Sequence, residues 1–296
     1  VTALLLADIA SAISAASGKP FRIAGQLDSA GGCINRSLVL RGQDGRCFFV
    51  KLNQAARLSM FEAEAAGLAE LAAAEAVRVP WPLTHGVAAD QSFLVIEWLD
   101  MGRAGNPAWV QLGEQLARLH RKSWHAFGWH RDNTIGSTPQ RNSVVLDWVE
   151  FYRDQRLQPQ LELAARNGAP MRLLNDADRL LSRLGEFFPG YRPQVSLLHG
   201  DLWSGNVGFC AAVPVLFDPA VYYGDRETDL AMTELFGGFP AAFYDAYQVA
   251  WPLDQGYAVR KWLYQLYHLL NHFNLFGEAY AQQSQRAIDR LLADLR

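Results

Sequence analysis

Cysteine is scarce. Cys33, Cys47 and Cys210 are the only three in 296 residues, and no pair has the CxxC spacing of a zinc site. They are too few and too scattered for a disulfide framework. Charge of one sign is lacking too. Lys plus Arg number 27 against 30 Asp plus Glu, for a net charge of −3, and no basic run offers a surface for nucleic acid or for an anionic membrane. No apolar run approaches the roughly 20 residues of a membrane span. The opening stretch VTALLLADIASAISAASGKP has no basic n-region, and Asp8 interrupts its apolar part, so it reads as an amphipathic helix and not as a signal peptide. No internal repeat or low-complexity tract is present. What is left is ordinary globular chemistry, 50% hydrophobic and 19% charged, in a chain long enough for two lobes. A soluble cytoplasmic protein is expected, monomeric or weakly dimeric, with no nucleic-acid or membrane partner.

The first hundred residues are β-rich. FRIAGQL, CINRSLVLRG, RCFFVKL, LTHGVAA and SFLVIEWL read as strands, with a hairpin turn at Gln43-Asp44-Gly45. MFEAEAAGLAELAAAEA, 60–76, is rich in Ala and Leu and predicts a helix, stopped by Val79-Pro80-Trp81-Pro82. The composition changes near Asp100-Met101-Gly102. From there the pattern is mostly helical, beginning with Asn106 and Pro107 as N-cap and first helical residue. LDWVEFYRDQRLQPQLELAARN and DADRLLSRLGEFF follow as helices, and four more close the chain. This predicts an α+β protein with a small β-rich N-lobe, 1–100, a larger helical C-lobe, 101–296, and a ligand cleft at the junction.

One octet breaks the helical pattern. HGDLWSGN, 199–206, is too polar and too rich in Gly, Ser, Asn and Asp for a core strand or a helix interior. It lies between β-prone runs, so it reads as a tight loop on a rigid scaffold, where chemistry tends to sit. Four elements then line up in order: Lys51 on the strand FFVKL, Glu62 and Glu64 on the helix after it, Asp201 and Asn206 in the octet, and Asp218 in VLFDPAV, twelve residues beyond Asn206.

This set resembles the protein-kinase-like layout: a strand Lys paired with a helix Glu, a catalytic Asp with an Asn five residues on, and a metal-binding Asp after the next hairpin. More narrowly the chain resembles the fructosamine kinase (ketosamine-3-kinase) family, beside the aminoglycoside and choline kinases. The resemblance covers nearly the whole chain and rests on GGCINRSLVL, RCFFVKLN, MFEAEAAGL, LHGDLWSGNVGF, FDPAVYYGDRETDLAM and LYQLYHLLNHFNLFG. It implies a bilobal protein-kinase-like fold and ATP-dependent phosphorylation of the sugar 3-hydroxyl of a small-molecule or protein-bound ketosamine, leading to deglycation. It implies ATP and Mg²⁺ as cofactors. Lys51 and the Gly31-Gly32 backbone would meet the phosphates, Glu64 would orient Lys51, and the backbone at Glu97, Trp98 and Leu99 would meet adenine. Asn206 and Asp218 would hold Mg²⁺, and Asp201 would accept the proton of the acceptor hydroxyl. The chain departs from protein kinases in lacking a full GxGxxG and in replacing DFG by Asp218-Pro219-Ala220. Asp229 follows Asp218 by eleven positions, which leaves no room for a long activation loop.

Some readings stay open at the level of sequence. Glu62 competes with Glu64 for Lys51; Glu64 is preferred because it shares a helical face with Leu68 and Leu71. Asp229 reads as a helix cap that can also brace the catalytic loop, and His199 as a loop-orienting group. Trp203 is either core or a wall of the acceptor site. His268, Asn271 and His272 form either a buried polar network or part of the acceptor pocket. Cys33 reads as a small filler, while the resemblance suggests inter-subunit disulfide control. An aminoglycoside- or choline-type kinase is the alternative enzyme, a non-catalytic nucleotide-binding protein the alternative class, and a metal hydrolase built on His199 and Asp201 lacks a second cluster of ligands.

Overall fold

In the computed structural model, residues 1–29 and 34–295 are described. The chain divides into two compact units, Val1–Arg103 with Gly208–Asp218, and Ala104–Val207 with Pro219–Arg296.

The first unit opens with α1 (Ala3–Ser17), capped by the Thr2 hydroxyl, which accepts from Leu5 N. β1 (Ile23–Ser29), β2 (Arg36–Gly42) and β3 (Cys47–Gln54) follow, then α2 (Leu58–Ala73), β4 (Pro82–Ala88) and β5 (Gln91–Glu97). The five strands make one antiparallel sheet of order β1-β2-β3-β5-β4. Leu5, Ile9 and Ile13 recur one helical turn apart on α1 and form a core with Leu38, Leu40, Val50, Leu52, Phe93 and Val95. Strand side chains alternate, so Lys51, between Val50 and Leu52, is directed to the opposite face. The five strands and the helix expected from the sequence are present; the helix starts two residues earlier than expected and ends three residues sooner.

The second unit is mainly helical. It begins with α3 (Asn106–His120), whose N-cap is Gly105, so Asn106 is already inside the helix and not its cap. A hairpin that the sequence patterns did not reveal comes next, β6 (Asn133–Ile135) and β7 (Thr138–Gln140). α4 (Trp148–Phe151) and α5 (Gln158–Arg166) are joined by a π-helical turn, Tyr152–Leu157, within what reads in the sequence as one helix. α6 (Met171–Leu181) precedes β8 (Ser196–Leu198). The chain then returns to the first unit with the hairpin β9 (Val207–Cys210) and β10 (Val213–Leu216). That membership has a backbone cause: Gly102 N donates to Phe209 O (2.7 Å) and Leu216 N to Arg78 O (2.9 Å).

The second unit resumes with β11 (Tyr222–Gly224), antiparallel to β8, and ends with α7 (Glu227–Leu235), α8 (Ala241–Ala250), α9 (Tyr257–Phe276) and α10 (Ala281–Asp294). α9 is the core helix, with Leu263, Tyr264, Leu266, Tyr267 and Leu270 buried. The expected α+β class is observed, with a β-sheet N-terminal unit and a helical C-terminal one.

Candidate functional site

In the first unit the chemistry gathers on Lys51. Its Nζ donates to Glu64 Oε1 (2.5 Å) and to Asp218 Oδ1 (2.6 Å). Lys51 is buried and Glu64 largely so, whereas 44% of the Asp218 side chain is exposed. Burial pushes the lysine pKa down, but the carboxylates of Asp218 and Glu64 outweigh it and hold the ammonium above the ordinary lysine value. Glu64 is pushed up by burial more than Lys51 pulls it down. Such a pair orients more than it stabilises, because desolvation offsets most of the attraction. Asp218 has φ +57°, a left-handed conformation unusual for a residue with a Cβ.

Glu97 ends β5. Its N–H donates to Trp81 O (2.9 Å), and its carboxylate accepts from Arg78 and from Trp81 N. That N–H is therefore not available to an adenine edge in this structure. Trp98 stacks on Phe49, and Leu99 follows half-buried. Gly31, Gly32 and Cys33 lie outside the described residues.

In the second unit the octet is a tight connection from β8 toward β9. Gly200 has φ +83°, and a Cβ there would lie 2.0 Å from Ala220 O, so only glycine fits. At Gly205 a Cβ would lie 2.3 Å from the Trp203 ring, so this glycine gives the indole room to fold over the loop. Asn206 Nδ2 donates to Asp201 O (2.8 Å) and Asp201 Oδ2 (3.2 Å), which ties the two ends of the turn and holds the half-buried acid. Asp201 N donates to Nδ1 of the buried His199 (3.3 Å), so His199 orients the loop.

Asp229 acts on this loop from below. It sits in the first turn of α7 but does not cap it; its carboxylate accepts from His199 N and Gly200 N, both at 2.8 Å, and from His120 Nε2 at 3.1 Å. Burial alone would raise its pKa, yet the hydrogen bond from His120, with help from His199 and the Gly200 N–H, holds it below the ordinary carboxylate value. His120 is pushed down by burial and is neutral at pH 7, so Nε2–H donates to Asp229 while Nδ1 accepts from Tyr247 Oη (2.8 Å). Arg226 in turn donates to Tyr247 Oη (3.0 Å).

The expected acceptor residues separate. Trp203 is half-buried and meets Phe236 edge to face at 6.1 Å; Phe236 also meets His272 at 4.7 Å. Asn271 is buried, accepts from Gln160 Nε2 (3.2 Å) and donates to Ile135 O (3.5 Å), the contacts of a polar network and not of a pocket wall. His268 is buried with Nδ1 unpartnered among the described residues, and burial pushes its pKa down to about 3. The sequence reading missed His120, Tyr247 and Arg226, which carry no local motif. It also missed the amides of the β6–β7 hairpin. The reading of Asp229 as an acid that can brace the catalytic loop is the one expectation that pointed toward these residues.

Among the described residues no cluster of three or more His, Cys, Asp or Glu forms a metal site. Mg²⁺ on a nucleotide does not call for one, since it takes one or two protein oxygens beside phosphates and water. Asp218 supplies a half-exposed carboxylate, and the two Asn206 Nδ2 bonds turn its amide oxygen away from Asp201. The donor types fit a hard cation.

Comparison with known proteins gives a consistent answer. The family model described as fructosamine kinase matches residues 5–294. A relative named as a ketoamine kinase in Synechocystis sp. is 47% identical over 96% of both chains. The chloroplastic protein-ribulosamine 3-kinase of Arabidopsis thaliana is 40% identical over 90% of this chain and 82% of its own. The crystal structure named as a fructosamine-3-kinase from Haemophilus somnus 129PT superposes with a TM-score of 0.89 at 28% identity, covering 98% of both chains.

Proposed function

This chain belongs to the fructosamine kinase family, and we propose that it is an ATP-dependent kinase phosphorylating the sugar 3-hydroxyl of ketosamines, the fructosyl or ribulosyl adducts of amines. The relatives named ketoamine kinase and protein-ribulosamine 3-kinase support the acceptor class. The observation that carries the phosphoryl chemistry is the buried Lys51 ammonium, held between Glu64 and Asp218. A buried ammonium held in place by two carboxylates, one of them half-exposed, is positioned to meet polyphosphate, and transfer is mostly positioning and charge stabilisation.

Each role follows from side-chain chemistry. Lys51 binds the α- and β-phosphates and Glu64 keeps it extended. Gly31 and Gly32 are assigned to the phosphates on the family resemblance alone, and the backbone beyond the Glu97 N–H, as far as Leu99, is assigned to adenine. Asp218 and Asn206 would hold Mg²⁺, which would neutralise phosphate charge. Asp201 orients the acceptor hydroxyl and accepts its proton as the oxygen attacks the γ-phosphorus and the bond to the β-phosphate oxygen breaks, releasing ADP. Trp203 offers an aromatic wall to the sugar or its amine-linked arm, and His268 is proposed as a further acceptor-site residue. The first unit, Val1–Arg103 with Gly208–Asp218, thus carries the nucleotide residues and Asp218, and the second carries Asp201, Asn206 and the acceptor residues. The product, a labile 3-phosphate, sheds the sugar and restores the amine.

Among the described residues no helix is long and apolar enough to cross a membrane; the reading assigns the enzyme to the cytoplasm. The test is an ATP-consumption screen across fructosyl-lysine, ribulosyl-lysine, choline and kanamycin. ADP release with the two ketosamines alone is expected. Turnover of choline or kanamycin without turnover of either ketosamine would overturn the acceptor assignment.

A further inference from the structure

Ala220 and Val221 present carbonyls to the protein interior just before β11. Ala220 is buried at 2% exposure and Val221 at 1%. Two amide side chains of the β6–β7 hairpin meet them: Gln140 Nε2 donates to Ala220 O (3.1 Å) and Asn133 Nδ2 to Val221 O (2.8 Å). On its other side the same segment carries the catalytic loop. Ala220 N donates to His199 O (2.9 Å), and Gly200 packs directly on Ala220 O.

The direction of every amide in this chain is fixed. Arg156 is fully buried and can only donate; its Nη2 donates to Asn142 Oδ1 (2.7 Å). Asn142 Nδ2 then donates to Asn133 Oδ1 (2.9 Å), which leaves Asn133 Nδ2 facing Val221 O. Gln140 behaves alike: Tyr267 Oη donates to its Oε1 (2.7 Å), so its Nε2 points to Asn133 Oδ1 and Ala220 O. Arg156 is held by stacking 3.9 Å over the Tyr222 ring on β11 itself.

We propose that Gln140 and Asn133 are positioning residues for phosphoryl transfer: they clamp the 220–221 backbone, and through Ala220 and Gly200 they set the height of the loop that carries Asp201. The proposal rests on the kinase reading above. Neither residue touches a reacting atom; both act through the backbone bonded to His199.

The test replaces donors while keeping shape. Gln140→Glu keeps the acceptor for Tyr267 and removes both donations; Gln140→Met removes them without adding a charge. Gln265→Glu is the control, since Gln265 is equally a buried amide that donates to a backbone carbonyl, Ala231 O, outside this segment. Both Gln140 variants are expected to lower kcat for the ketosamine by roughly 10- to 100-fold, as sub-ångström misplacement of a reacting group does. KM for ATP should change much less than kcat, because Lys51 and Glu64 lie outside the clamped segment. Amide hydrogen exchange should rise at 197–206 and 219–223 in these variants and not in Gln265→Glu. Unchanged exchange at those positions overturns the clamp. Raised exchange with unchanged kcat overturns the positioning role, as does an equal fall of kcat in Gln265→Glu. A wild-type protein that turns over no ketosamine would fail the functional reading, and the exchange comparison would still decide whether the clamp holds the loop.

Discussion

Asp229→Asn changes one atom and should cost the loop its footing. Its two carboxylate oxygens have separate tasks: Oδ1 accepts from Gly200 N, and Oδ2 accepts from His199 N and His120 Nε2. An amide has a single acceptor. If its oxygen stays on Gly200 N, the NH₂ faces His199 N and can be accommodated only by His120, which would then have to accept at Nε2. The reverse orientation strands Gly200 N instead. Either way one buried backbone N–H is left facing a donor, a loss of about 1–3 kcal/mol, and the surviving bonds weaken by roughly 1 kcal/mol in total once the acceptor is neutral. A destabilisation of about 3 kcal/mol follows, which for a chain of this size lowers Tm by roughly 5–10 °C. Turnover should fall about 10²-fold, since the loop bearing Asp201 loses its anchor. Thermal melting and steady-state kinetics on the purified protein measure both. A Tm within 1 °C of wild type, together with undiminished kcat, would refute the claim that Asp229 holds the loop, and with it the reading of the His120–Tyr247–Arg226 chain as its support.

Other perturbations separate the remaining roles. Asp201→Asn keeps size and removes the proton acceptor, so kcat should fall at least ~10²-fold with ATP affinity little changed; near-normal turnover removes Asp201 from the role. Trp203→Ala should raise KM for the ketosamine about 10-fold through loss of a stacking contact, and acceptor-free ATP hydrolysis should hardly move; equal damage to both means that the indole is packing only. His268 is buried neutral, with its pKa down to about 3, so protonation favours the unfolded chain. Stability should be intact above about pH 6.5 and fall by about 2 kcal/mol between pH 7.4 and 5 on account of this one residue. His268→Gln should lose that share of the acid sensitivity in urea titrations at the two pH values; an identical pH dependence in both proteins would show that His268 is not neutral in the fold. Glu227, raised to about 7 by burial, acts with the opposite sign, which is why the comparison is made between variants and not between pH values alone.

The parts of this fold that could be read from sequence are those where a period or a turn is local. The turn at Gln43-Asp44-Gly45 and the alternation through FFVKL fix the β2–β3 hairpin and turn Lys51 away from the core that holds Val50 and Leu52. Glu64 shares a helical face with Leu68 and Leu71, and Glu64 is the residue that bonds Lys51. The β6–β7 hairpin was not legible. Its strands are three residues each, too short for alternation to show, and its polar members Asn133 and Gln140 look like turn chemistry when they are buried structure. Asp229 reads as a cap that can also brace the catalytic loop; the bracing is observed and the capping is not, and its partners lie 29 and 30 positions away, where no local rule identifies them.

A common requirement accounts for the residues that local reading missed. The start of the loop, His199 and Gly200, and the segment 219–222 are buried but too tightly curved for a continuous ladder, and every buried backbone group there still needs a partner. The exposed edges have opposite polarity. His199 and Gly200 turn N–H groups inward, so the residue beneath them must accept twice, and a carboxylate is the side chain with two acceptor oxygens. Ala220 and Val221 turn carbonyls inward, so the residues facing them must donate, and amides with their oxygens already engaged can do so. Each chain begins at a group that can only donate: Arg226 through Tyr247 and His120 to Asp229, and Arg156 through Asn142 to Asn133. An arginine at the outer end leaves the intervening hydroxyl, imidazole and amides one satisfied orientation each. The backbone that carries Asp201 is therefore held from both sides by networks of defined polarity, and reversing the polarity of any one link should propagate to the loop without any contact to substrate.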